Sequence, residues 1–204
     1  PEAPVPVVDV ENESFHLGGA ANVANNLKSL GLNSILFGVI GKDTSGKRFS
    51  DIAINLGIDP KGLFKDEQRP TTVKTRIIGN NQQLVRLDRE QRDTISADGI
   101  EFILNTLKAE DDLKGIIFGD YDKGTLSVDL ITEVIVYANI NKIPVYVDPK
   151  FDNFYHYKNS SFFKPNRKEA STALNMKITD ETDIVQAGKK LMEILEPENL
   201  LLTL

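Results

Sequence analysis

From Ser96 onward, short apolar runs alternate with amphipathic helical stretches, and no other feature of the chain narrows the fold so far. Hydrophobic periodicity predicts helices over 97–108, 127–141, 166–174 and 183–195. Between them, 115–118, 143–147, 162–163 and 200–204 read as short buried strands. Strands that alternate with helices require crossover connections, which give a parallel sheet covered on both faces. The fold class is therefore α/β. Ligands of such sheets gather at the carboxyl ends of the strands, so the loops there are where chemistry is sought.

The first half departs from this rhythm. Gly18 and Gly19 open a stretch in which Ala20, Val23, Ala24, Leu27 and Leu30 recur at helical spacing up to Gly31, a candidate C′ residue. A first turn without bulk lets a ligand approach unpaired backbone N–H groups, and Asn22 adds an amide that both donates and accepts. Close packing against a sheet would explain the same small residues. A strand is predicted over 34–40 and a helix over 44–56, ended by Gly57. Segments 72–78 and 84–88 alternate around Gly79-Asn80-Asn81-Gln82, a hairpin with Lys74, Arg76 and Arg86 on one face. Val5 to Val10, interrupted by Pro6, suggests an edge strand. This strand and the hairpin (about 1–17 and 70–90) form a small β appendage beside an α/β core, within one domain spanning 1–204.

Composition removes several function classes. A net charge of −6 disfavours a nucleic-acid partner, which would call for a basic surface. With no Cys and two His, neither disulfides nor a thiolate or imidazole zinc site is expected. No apolar run approaches the ~18 residues of a membrane span, and the start does not read as a signal peptide, so a soluble, cytoplasmic protein is expected. The chain lacks an initiator Met and stops in a strand-like run, which suggests a fragment truncated at both ends.

Four loops carry the polar chemistry. Gly41 to Arg48 has the glycine and lysine spacing of a P-loop, but Arg48 stands where Mg²⁺ requires a hydroxyl. A polar turn capping the next helix through Thr44 explains it better. Gly119-Asp120-Tyr121-Asp122-Lys123-Gly124 comes after a predicted strand and offers carboxylates and a lysine to a sugar or a phosphate. Asp148-Pro149-Lys150 ends another strand. Asn166 and Glu169 have capping-box spacing, which suffices structurally; alternatively they face a phosphate-bound Mg²⁺ through water.

Together these residues resemble the ribokinase-type (phosphofructokinase-B-like) carbohydrate kinases, whose fold is a ribokinase-like parallel-sheet sandwich core with a small β-sheet lid. Gly18-Gly19-Ala20-Ala21-Asn22-Val23-Ala24 matches that family's sugar-site signature. The segment around Gly41-Lys42-Asp43 matches the family's next segment, which removes the P-loop reading. Pro165-Asn166-Arg167-Lys168-Glu169 matches its Mg²⁺ and ATP-phosphate element. Within the family, the N-terminal residues, Gln82 to Asp88, Asp120 to Gly124 and Asp148 to Lys150 are similar to bacterial heptose-7-phosphate kinases. Gly119 and Lys164 depart from their usual pattern.

The resemblance implies ATP-dependent phosphorylation of D-glycero-β-D-manno-heptose 7-phosphate at O1, giving the 1,7-bisphosphate for ADP-heptose and lipopolysaccharide core synthesis. Another ribokinase-type sugar kinase, or a non-catalytic sugar-phosphate-binding module, is the alternative. The resemblance assigns Gly18, Gly19 and Asn22 to sugar hydroxyls, Lys74, Arg76, Arg86 and Lys123 to the sugar's phosphate, and Asp120 to substrate binding. Lys150, Asn166 and Glu169 go to ATP, with Glu169 reaching Mg²⁺ through water. The catalytic base, an Asp, is expected beyond Leu204, so the chain alone is expected to be inactive. A homodimer through the β lid and fusion to an adenylyltransferase are the further expectations.

Overall fold

The computed structural model describes residues 8–204. Helix α1 (Ala20–Ser29) precedes strand β1 (Ile35–Gly41), helix α2 (Thr44–Asn55) and strand β2 (Asp59–Asp66). Strands β3 (Val73–Gly79) and β4 (Gln82–Arg89) form the hairpin. Then α3 (Ala97–Lys108), β5 (Ile116–Gly119), α4 (Val128–Ile140) and β6 (Val145–Asp148) alternate. A 3-10 turn (Phe154–His156) leads to β7 (Phe162–Phe163), α5 (Arg167–Ala173), α6 (Glu181–Leu195) and β8 (Asn199–Leu200).

The parallel strands fall into two ladders. One is β1–β2, the other β5–β6–β7–β8, and the antiparallel hairpin stands as a third sheet of its own. Each ladder has its own core. Ala21 and Ala24 of α1, Leu36 and Ile40 of β1, and Ala53 of α2 pack one; Phe118, Val147, Phe163, Ile131 and Leu191 belong to the other. The buried face of the four-stranded ladder carries Phe118, Val147 and Phe163, and Phe154 meets Phe163 edge-on at 5.2 Å between centroids. The opposite face leaves Ile117 and Tyr146 partly exposed. Among the described residues β1 and β5 each pair on one side only, and both line one common cleft.

Local chemistry accounts for the element ends. Ser96, Ser127, Asn166 and Asp180 each accept a backbone N–H in the first turn of the helix they precede. Gly31, at φ +83°, closes α1 with two bonds, Gly31 N–H to Lys28 and Leu32 N–H to Leu27. The hairpin turns on Asn80 and Asn81 at φ +50° and +59°, the two left-handed residues that a two-residue turn matched to strand twist requires.

Three expectations are revised. Helix α2 is capped by Asp43, whose carboxylate accepts the Gly46 N–H at 2.7 Å, and Thr44 is its first residue. Strand β2 has no counterpart among the expected elements, because Pro60, Gly62 and alternating charge conceal it; Pro60 is tolerated on an edge strand, and a Cβ on Gly62 would meet the Phe37 ring at 2.5 Å. The expected N-terminal strand lies outside the described residues up to 7, and residues 8–18 form neither helix nor strand.

Candidate active site

Two groups of polar residues stand at the ends of the strands. The first surrounds the cleft, which has a volume of about 2380 Å³. At its wall, Gly19 is the N-cap of α1 with φ +56° and ψ −137°, and no side chain caps the helix. The Tyr121 ring lies 3.5 Å from where a Gly19 Cβ would sit, an ordinary contact, so it is the left-handed φ and not the ring that favours glycine here. The glycine start of α1 thus touches the β5–α4 loop, and among the described residues no side chain caps its first turn. Gly18, Gly19, Asp120 and Lys123 line this cleft, and Lys74 and Arg76 reach it from the hairpin. Asn22 is exposed and is not among the lining residues, nor is Arg86, which pairs with Asp88 at 3.0 Å.

Asp120 is 4% exposed and organises its loop. It accepts from the Tyr157 hydroxyl at 2.7 Å, the Asn153 amide at 3.1 Å and the Asp122 N–H at 2.9 Å. Burial and the neighbouring Asp120 charge push the Tyr157 hydroxyl up, so it stays a donor. Asp122, at φ +50°, has a buried Oδ1 without a partner. Its carboxyl is raised by burial, then by Asp120 and Asp152.

The two cleft lysines converge on a glutamate that sequence reasoning missed. Glu90, just past β4, accepts from Lys123 at 2.9 Å, Arg92 at 3.1 Å and Lys74 at 3.2 Å. These bonds, Lys123 first, hold its carboxyl down to about 2. Its signal in the sequence was the unbalanced cationic count of the hairpin, which calls for counter-charge at the hairpin base.

That base is fastened by Asp43. Besides capping α2, Asp43 accepts from the Thr71 hydroxyl at 2.7 Å, the Thr71 N–H at 3.0 Å and Arg89 at 2.9 Å. Burial opposes ionisation of Asp43, but the Thr71 hydroxyl, two backbone N–H groups and Arg89 outweigh it and lower its carboxyl. The glycines that resemble a P-loop serve contact instead. A Cβ on Gly41 would stand 2.5 Å from the Arg69 carbonyl oxygen, and one on Gly46 2.2 Å from that of Gly41. Arg48 lies over the Phe15 ring at 4.0 Å.

The second group lies at the ends of β6 and β7. Lys164 pairs with Asp148 at 2.9 Å, and Lys150 pairs with Glu169. Asn166 and Glu169 form a complete capping box, both bonds at 2.9 Å. Burial lowers Lys150, but its hydrogen bond to Glu169 outweighs that and leaves it raised. Glu169 is 1% exposed with both oxygens engaged, so its remaining lone pairs suit contact with a metal through water and not direct ligation. Among the described residues no group of three or more acidic or His side chains is arranged to hold a metal ion.

Comparison with known proteins bears on the family and the fold. The model of the pfkB family of carbohydrate kinases matches residues 2–204. The bifunctional protein HldE of Geobacter sulfurreducens is 42% identical over 204 residues, all of this chain and 42% of the relative. HldE of Helicobacter pylori J99 is 42% identical over 194 residues, 95% of this chain and 42% of the relative. The chain thus spans less than half the length of these curated relatives. The tetrameric inhibited form of Escherichia coli phosphofructokinase-2 superposes with a TM-score of 0.72 at 16% identity, covering 98% of this chain and 65% of that one. The same enzyme in complex with fructose-6-phosphate gives 0.69 at 16% identity, covering 92% and 62%. At such identities the likeness concerns the fold.

Proposed function

Because this chain belongs to the pfkB family of carbohydrate kinases, we propose that it supplies the sugar-binding part of an ATP-dependent kinase that phosphorylates a heptose 7-phosphate at its anomeric hydroxyl. One observation carries the reading: a bare, uncapped helix start and two lysines from different elements face the same cleft. Uncapped N–H groups suit hydroxyl oxygens, and fixed cations suit a phosphate. The identity to HldE along the whole chain supports the heptose assignment and a fused second domain in the full-length protein.

In this reading Gly18 and Gly19 hold sugar hydroxyls. Lys74, Arg76 and Lys123, which line the cleft, hold the substrate's phosphate, and Asp120 fixes the loop that bears Lys123. Asn22 and Arg86 do not line the cleft and take no role in it. Lys150 and Asn166 serve the ATP phosphates, with Glu169 an outer contact to Mg²⁺ through water. When bound, Mg²⁺ neutralises phosphate oxygens and so favours in-line transfer. Asp120 already accepts three donors, so it is not assigned as the base for the attacking hydroxyl.

The hairpin acts as the lid that excludes water from the sugar. Ile78, Leu84 and Leu87 on it are each more than half exposed, which suits pairing of two lids in a homodimer. No helix among the described residues is long and apolar enough to cross a membrane, in keeping with a cytoplasmic sugar kinase.

The test is an ATP-coupled assay of the full-length protein against heptose 7-phosphate, hexose phosphates and nucleosides. Heptose 7-phosphate is expected to give the highest kcat/KM. A preferred hexose phosphate or nucleoside would overturn the assignment of substrate, and no phosphorylation of any sugar would favour a binding module.

A further inference from the structure

The cations that the cleft offers to a phosphate are not waiting empty. Lys74 comes from the hairpin and Lys123 from the β5–α4 loop, and both hold the Glu90 carboxylate, together with Arg92. Lys74 also holds Asp88, which Arg86 holds in turn. Four cations thus surround two carboxylates, a surplus of two positive charges. Of the four, Lys74 and Lys123 line the cleft, and their two charges match that of a phosphate monoester at neutral pH.

From this geometry we propose that Glu90 is an internal stand-in for the substrate's phosphate. It occupies Lys74 and Lys123 in the free protein, and a phosphate displaces it. The proposal rests on the reading of the cleft as a sugar-phosphate site and adds a residue that tunes its specificity.

Three features support displacement over permanent pairing. Every side-chain donor to Glu90 is a long, flexible cation, and no backbone N–H holds it, so the bonds can be exchanged one by one without unfolding an element. The Glu90 side chain is 15% exposed, so it has water to turn into. A carboxylate carries one negative charge and two acceptor oxygens, whereas a phosphate monoester carries nearly two charges and three oxygens. The phosphate therefore wins the exchange, while a neutral sugar hydroxyl cannot. Glu90 then acts as a filter: it keeps the lysines placed, and it raises the affinity threshold for any ligand without a phosphate. Because Lys74 and Lys123 sit on different elements, the same pairs tie the hairpin to the core loop until the phosphate takes over.

An internal competitor lowers apparent affinity by the fraction of time it holds the site. Removing its charge should therefore tighten anion binding, whereas loss of a structural support would weaken it. The experiment titrates the full-length protein with inorganic phosphate by calorimetry at neutral pH and low salt, for the parent, Glu90→Gln, Glu90→Asp and Glu90→Gln/Lys123→Gln. Three partially exposed pairs compete, so Glu90→Gln is expected to bind about tenfold tighter than the parent. Glu90→Asp should stay within about twofold of the parent, and the double variant should lose the gain. Equal or weaker binding by Glu90→Gln would overturn the proposal, as would saturable binding by neither protein. These titrations involve no ATP and no sugar, so a wrong substrate assignment shows in the kinase assay and a wrong role for Glu90 shows here.

Discussion

Glu90 and Glu169 are both glutamates paired with lysine near a proposed phosphate, and they are held in opposite ways. The Glu169 side chain is 2% exposed, with one oxygen on the Asn166 N–H and the other on Lys150. Since that N–H belongs to the start of α5, Glu169 cannot turn away without opening the first turn of the helix. Glu90 is 15% exposed and takes only side-chain donors, each free to swing. The difference lies in the source of the donors. Backbone donors make a carboxylate part of the fold, and side-chain donors leave it an exchangeable charge.

The most direct way to break this contrast is to delete each carboxylate. Glu169→Ala removes a capping box and leaves Lys150 without its partner, and should cost about 2–3 kcal/mol in urea unfolding. Glu90→Ala should cost less than Glu169→Ala by the same measurement, because its donors are side chains that water can replace. Equal losses would refute the distinction. The cleft nevertheless has a fixed backbone element in Gly19. Gly19→Ala should destabilise by about 2 kcal/mol, because φ +56° with ψ −137° is strained for a residue with a Cβ. Gly18→Ala, with open space around its Cβ position, should be nearly neutral by the same measurement.

The same division governs what was legible in the sequence. Helices and strands from Ser96 onward are readable from periodicity because packing there repeats the local pattern, as in α3 and α4. The Asn166–Glu169 box was visible because its partners are three residues apart, a distance the helix itself sets. Glu90 was invisible because its partners come from 16 and 33 residues away, and only the fold brings Lys74 and Lys123 together. Asp43 escaped for a similar reason. Its capping bond is local, but its bonds to Thr71 and Arg89 span 28 and 46 residues. Strand β2 was hidden because its stability derives from pairing with β1, whereas its own residues include a proline and a glycine.

Acid titration sharpens the contrast on the Glu90 side. Its folded carboxyl lies at about 2, against an ordinary 4.5. A lowered value means that the ionised form stabilises the fold above about 4.5, and that this contribution is lost as pH falls from there toward about 2. Unfolding free energies of the parent and Glu90→Gln should therefore converge through that window, and at neutral pH the gap should shrink in about 0.5 M salt. A gap that stays constant from neutral pH to about pH 2 would show that Glu90 contributes through packing and not through charge.

The smallest expected effect has the opposite sign and comes from Asp122, whose one backbone donor, the Asp152 N–H, does not offset its burial. Its Oδ1 is buried without a partner, and its carboxyl is raised above 3.8 by burial and by Asp120 and Asp152. A raised value means that the folded protein tolerates the neutral form better, so ionisation costs stability as pH rises through the folded value. Asp122→Asn removes that cost while keeping the shape of the side chain. Asn is also among the residues that best accept a left-handed backbone such as φ +50°. The variant should be more stable than the parent by about 0.5 kcal/mol at about pH 7, with the gain vanishing near about pH 3, where the parent is itself protonated. A loss of stability at neutral pH would mean that the attraction between Asp122 and Lys150 outweighs burial, placing Asp122 with the supported carboxylates.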